Sequence, residues 1–170
     1  MRGYRAAPAW VEWCNKTARR STTEDVRVLA TSVVAALAFL VASAGSALGA
    51  TRSPSLTVHD SAYGRILFDG RSYALYAFTR DDRSRSNCGG ACARRWPPYI
   101  VKRAPSAGGG VTASRIGTIR RADGSLQATY AGKPLYRYVG DRRPLQVLCQ
   151  NVREFGGLWL VVRPSGRQVR

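Results

Sequence analysis

Two stretches of the chain repeat one another at a fixed offset: Gly64 to Asp81 aligns with Gly124 to Asp141, each position displaced by 124 − 64 = 60 residues. Both contain the pattern L-Y-x-[FY]-x-x-D, as Leu75, Tyr76, Phe78 and Asp81 in the first copy and Leu135, Tyr136, Tyr138 and Asp141 in the second. Each copy is followed by a strand led by tryptophan, Trp96 or Trp159. This duplication restricts the fold. One copy with its flanks supplies about four short strands, too few to be stable alone, so the halves are expected to share a core.

The stretches "LTVHD", "RILF", "YALYAF", "WPPYIV", "RIGTIRR", "LQATY", "PLYRYV" and "LWLVVR" are short and rich in β-formers. Turn chemistry such as Asp69-Gly70, Asp123-Gly124 and Gly156-Gly157 separates them. No segment after residue 50 carries a helical period. The expected fold is all-β: two tandem repeats of about four antiparallel strands sharing one core, sandwich or barrel-like, preceded by an N-terminal apolar helix. The repeats fall at residues 51–101 and 115–170, joined across residues 102–114 by "KRAPSAGGG" and its flank, a Gly/Pro-containing linker.

Ahead of the repeats, Val28 to Ala50 runs without a charge and changes from bulky apolar residues to a small-residue tail. Residues 26–50 therefore read as a secretory signal peptide, with an uncleaved anchor as the alternative. Candidate cleavage points follow Ala44, Gly49 and Ala50. No cysteine ends the apolar run, so no lipid attachment site is visible there. Residues 1–25 carry Glu12, Glu24 and Asp25, unlike a positive leader, and read as a start-site extension or a disordered n-region. The expected location is secreted or in the cell envelope, outside the cytoplasm.

The paired L-Y-x-[FY]-x-x-D copies, with C-x-x-x-C-A-x-x-W-P-P at Cys88 to Pro98 and E-F-G-G-L-W-L-V-V at Glu154 to Val162, resemble the secreted repeat family described as predicted lipoproteins with a Y-x-[FWY]-x-x-D motif. The resemblance covers nearly all of residues 56 to 166. It implies an exported location and a repeat architecture, and it implies no reaction.

The motif also has a reading from its residues. With a period of two, Tyr76 and Phe78 share one strand face, as do Tyr136 and Tyr138, while Asp81 and Asp141 fall where the strands end. The aromatics then supply buried area, and the aspartates accept backbone N–H bonds in the following turns. The functional alternative is a ligand or cation site on which the tyrosines and aspartates converge.

The cysteines Cys88, Cys92 and Cys149 follow from the compartment. Thiols exported from the cytoplasm tend to oxidise, so a disulfide is the favoured reading. It pairs Cys88 with Cys92 in a tight loop, or either of them with Cys149 across the halves. The alternative is a metal site in which the three thiolates hold copper(I), favoured by the nearby Arg83, Arg85, Arg94 and Arg95.

Catalytic constellations are hard to assemble. His59 is the only histidine, and Glu154 is the only glutamate after residue 50. Neither a Ser-His-Asp arrangement nor a paired-carboxylate centre suggests itself. The formal net charge is +17, and from Thr51 onward 21 Lys and Arg stand against 7 Asp and Glu. The chain therefore reads as a non-enzymatic binding or surface-organising module without a cofactor, the alternative being thiol-based copper handling or redox exchange. Anionic envelope polymers or the membrane surface are the partners that charge favours. Nucleic acid is not expected, because the chain is exported and carries no recognition element.

Overall fold

The computed structural model describes residues 55–170. The expected N-terminal helix and the segments 1–25 and 26–50 lie outside the described residues. Within them the chain is all-β with little helix: nine short strands form three sheets of three. Strands β1 (Ser55–His59), β2 (Ile66–Asp69) and β4 (Ser106–Ala107) form one sheet in the order β2-β1-β4. Strands β3 (Tyr76–Phe78), β8 (Val152–Glu154) and β9 (Gly157–Val161) form the second, β3-β9-β8. The third is β5-β6-β7, from Ile116–Arg120, Leu126–Tyr130 and Lys133–Pro134.

The sheets mix the two halves of the chain. β3 from the first half lies antiparallel to β9 from the second, with Tyr76 opposite Val161 and Phe78 opposite Trp159. One pairing departs from the antiparallel expectation: β1 runs parallel to β4, setting Ser55 beside Ser106 and Leu56 beside Ala107. The N–H of Gly108 extends that contact to the carbonyl of Leu56 at 2.8 Å. The segment between the halves is thus tied to the first sheet.

A second departure is the short helix α1, Gly90–Arg95, where no helix was expected. Six residues are too few to display a helical period, and Gly-Gly before it and Pro-Pro after it read as turn punctuation. Arg94 and Arg95 in its last turn suit the negative end of the helix dipole.

Strand alternation sends neighbouring side chains into two apolar clusters. Ile66, Phe68, Tyr76 and Phe78 enter one, with Trp96, Tyr136, Tyr138 and Trp159. Leu67, Leu75 and Ala77 enter the other, with Leu56, Tyr99, Ala128, Tyr130 and Leu135. Strands buried on both faces explain why "ILF" and "LYAF" read as unbroken apolar runs.

Candidate functional site: the interlocked motif copies

The two motif copies meet at their tyrosines. The N–H of Tyr76 donates to the carbonyl of Tyr136 and the N–H of Tyr136 donates to the carbonyl of Tyr76, both at 2.9 Å. The side chains repeat this exchange. The Tyr76 hydroxyl donates to Asp141 Oδ2 at 2.7 Å, and the Tyr136 hydroxyl donates to Asp81 Oδ2 at 2.6 Å. Each copy therefore supplies the acceptor for the other copy's tyrosine. The second oxygen of each aspartate closes its own loop: Asp81 Oδ1 accepts from the N–H of Asn87 at 2.7 Å, and Asp141 Oδ1 accepts from that of Leu148 at 2.9 Å.

The aromatic rings follow the same two-fold pattern. Trp96 and Trp159 stack at 4.2 Å with an interplanar angle of 3°. Each meets the tyrosine of its own copy edge-on at 5.1 Å, Trp96 with Tyr76 and Trp159 with Tyr136. Each also packs on the second aromatic of the other copy, Trp159 on Phe78 at 4.3 Å and Trp96 on Tyr138 at 4.7 Å. Two glycines make room for these rings. A β-carbon at Gly157 would collide with the Phe78 ring, and one at Gly140 with the Tyr138 ring. The indoles differ in their polar ends: Trp96 Nε1 donates to Glu154 Oε2 at 2.7 Å, whereas Trp159 Nε1 is buried without an acceptor.

Burial dominates the electrostatics of the aspartates. It pushes the carboxyls of Asp81 and Asp141 up to about 6, against the opposing effect of the hydrogen bonds from Tyr136 and Asn87 on one and Tyr76 and Leu148 on the other. The tyrosines are pushed upward as well, first by burial and then by the adjacent carboxylates, so both hydroxyls keep their protons and act as donors.

Sequence reasoning missed Arg121 and Gln127. The Arg121 guanidinium, almost wholly buried, donates to Ser86 Oγ at 2.7 Å, to Gln127 Oε1 at 2.6 Å and to the carbonyl of Cys88 at 2.7 Å. Ser86 Oγ in turn lies 2.7 Å from the Tyr136 hydroxyl, which attaches this network to the motif. Arg121 follows Arg120 in a run that reads as solvated charge, so nothing in the sequence singles it out.

The four motif aromatics and the three cysteines share one apolar cluster, and Asp81 and Asp141 attach to it through the tyrosine hydroxyls. Cys88 and Cys92 are joined by a disulfide at the start of α1. Cys149 is buried, pairs with neither of them and is not a free thiol. It follows Leu148 as Cys88 follows Asn87, so the two aspartate-closed loops deliver a cysteine at equivalent places. A three-thiolate copper site at Cys88, Cys92 and Cys149 requires the reduced state, because the disulfide leaves no thiolate on the first two. His59 lies apart, its ring edge-on to Phe68 at 5.3 Å.

Chemically, the arrangement is self-satisfied. All four carboxylate oxygens accept hydrogen bonds from within the chain. Among the described residues no helix is long and apolar enough to cross a membrane. No curated protein and no solved structure matches the chain significantly. Residues 117–163, which hold Tyr136, Tyr138, Asp141 and Trp159, match a family of repeats found in secreted proteins. That family is described as a secreted repeat of unknown function, and the match covers the second motif copy alone.

Proposed function

We propose that the chain is an extracytoplasmic, non-catalytic binding module, built from two tandem repeats around a common core, that holds anionic polymers of the cell envelope on an arginine-rich exterior. The observation that carries this reading is where the acids go. Asp81 and Asp141 are engaged by tyrosines, Asp69 is fully buried against Arg137 at 2.5 Å, and Glu154 takes the Trp96 indole. Few carboxylates remain to neutralise the outward-facing arginines, and a surface of one sign concentrates ligands of the other. The repeat reading is supported by the exchanged Tyr–Asp bonds, which leave each copy incomplete without the other. The non-catalytic reading rests on the same bonds, since groups satisfied by one another present no base or nucleophile to a substrate.

The test is retention of the purified exported protein on matrices bearing polyphosphate, polyglutamate or neutral dextran, across a salt series. Retention on both anionic matrices at low ionic strength, falling steeply with salt, is expected. Equal retention on dextran, or none on either polyanion, rejects the reading.

A further inference from the structure

Beyond β9 the chain turns back on itself, and this hairpin is held with unusual completeness. The N–H of Arg163 donates to the carbonyl of Arg167 and that of Gly166 to the carbonyl of Arg163, both at 2.8 Å. The buried Gln150 spans the two arms: its Oε1 accepts from the N–H of Val161 at 2.7 Å, and its Nε2 donates to the carbonyl of Val169 at 2.8 Å. From the second cluster, the Tyr130 hydroxyl donates to the carbonyl of Pro164 at 2.7 Å. Backbone fixed at both arms and at the turn has little conformational freedom left to lose on binding.

Beside this hairpin lies a cleft of about 650 Å³ lined by Arg163, Ser165, Arg167, Gln168, Val169 and Arg170. No acid lines it. None of the three guanidiniums has a carboxylate partner among the described residues, whereas Arg137 and Arg121 elsewhere are engaged. A fourth, Arg115, reaches toward the turn, its Nη1 lying 3.7 Å from where a β-carbon on Gly166 would stand. Arginines that share one wall repel one another until an anion arrives, and their planar forks match oxyanions that take two hydrogen bonds at once.

We propose that this cleft seats a phosphate group of a polyanionic chain, a subsite that rests on the binding-module reading. Phosphate fits three arginines better than carboxylate does. A carboxylate presents two coplanar oxygens, which one guanidinium fork can occupy, while successive tetrahedral phosphates in a chain present pairs of charged oxygens in different planes close together, which several forks can share. The Ser165 hydroxyl and the Gln168 side chain add neutral polar groups to the same wall. A polymer suits the site better than a bilayer, because the exposed apolar side chains Ile100, Val139, Leu145 and Phe155 lie outside its lining.

The experiment compares the full exported chain with R163Q/R167Q/R170Q and with R94Q/R142Q/R143Q, which removes the same charge from exposed positions elsewhere. Calorimetric affinity is measured for inorganic polyphosphate, polyglutamate and phosphatidylglycerol vesicles. The cleft variant should lose polyphosphate affinity by tenfold in order of magnitude, about what losing charged hydrogen bonds costs, while the control should lose less than about threefold, as screened surface charge does. Wild-type protein should favour polyphosphate over polyglutamate. Equal losses in the two variants overturn the cleft while leaving general polyanion binding intact, and no polyanion binding by wild type overturns that broader reading too. Vesicle binding lost only in the cleft variant, with no polyphosphate binding, overturns the polymer in favour of a membrane. Should the cleft variant not fold, phenylglyoxal labelling of wild-type protein decides: polyphosphate must shield Arg163, Arg167 and Arg170 more than Arg94, Arg142 and Arg143, and uniform shielding overturns the site.

Discussion

Asp81 and Asp141 set the residue scale, because each is ordered by a donor from the other motif copy. The place of Asp81 just past β3 was legible from the period-two spacing, and so was the idea that both aspartates accept backbone N–H bonds, but Tyr136 and Tyr138 lie beyond β7 outside any strand, so Asp141 ends none. The tyrosine that each binds was not legible, since Tyr76 and Asp141 lie 65 residues apart and nothing local distinguishes Asp141 from Asp81 as its partner. Burial raises both carboxyls to about 6, above the ordinary unfolded value of about 3.9. The folded chain therefore binds protons more tightly than the unfolded one between those values. The resulting stability is fully present below the unfolded value and is lost as pH rises through about 6, so the protein should melt at a higher temperature at pH 5.5 than at pH 7.5. D81N/D141N removes the buried charge and keeps one acceptor at each site for the tyrosine, but it turns an NH2 toward the N–H of Asn87 or Leu148, so it should flatten that dependence while lowering stability at every pH. A Tm that rises steadily from pH 5.5 to 7.5 in wild type would contradict the assignment.

At the scale of elements, α1 and its disulfide show why periodicity reaches only so far. The cysteine spacing allowed three pairings, and the one formed closes the smallest loop. Its geometry is set by the one-turn helix that the sequence concealed, since the N–H of Cys92 already bonds the carbonyl of Gly89 at 3.0 Å. A loop so short constrains the unfolded chain little, so the expected contribution is about 2 kcal/mol, at the low end for disulfides. C88S/C92S should therefore fold with reduced stability in urea, and its near-UV spectrum should be kept because Trp96 is still held by Glu154 and Trp159. Loss of the tryptophan signal in that variant would mean that the disulfide, rather than the aromatic stack, positions α1. The strands were more legible than their partners: "LTVHD" and "LQATY" follow local alternation, whereas the pairing of β3 with β9 depends on a register that only tertiary packing selects.

For the whole molecule, the all-β expectation followed from the short β-rich stretches, but the division of the interior into two apolar clusters and the double burial of the middle strands did not. Apolar runs such as "ILF" specify that both faces are covered without naming what covers them. Because Trp96 stacks on Trp159 and each packs on an aromatic of the other copy, residues 55–101 and 115–170 expressed apart should each lack near-UV ellipticity, and mixing them should restore it at a 1:1 ratio. Native ellipticity in either fragment alone would show that the halves are independent. The exchange of Tyr–Asp bonds also has a consequence for parity. A bond that each copy can give only to another copy closes when copies are even in number and leaves one tyrosine and one aspartate unsatisfied when they are odd. A chain with a single copy, or with three, would leave that bond to be made with water or with a neighbouring molecule, so adding or losing one copy would favour association through the orphaned tyrosine and aspartate.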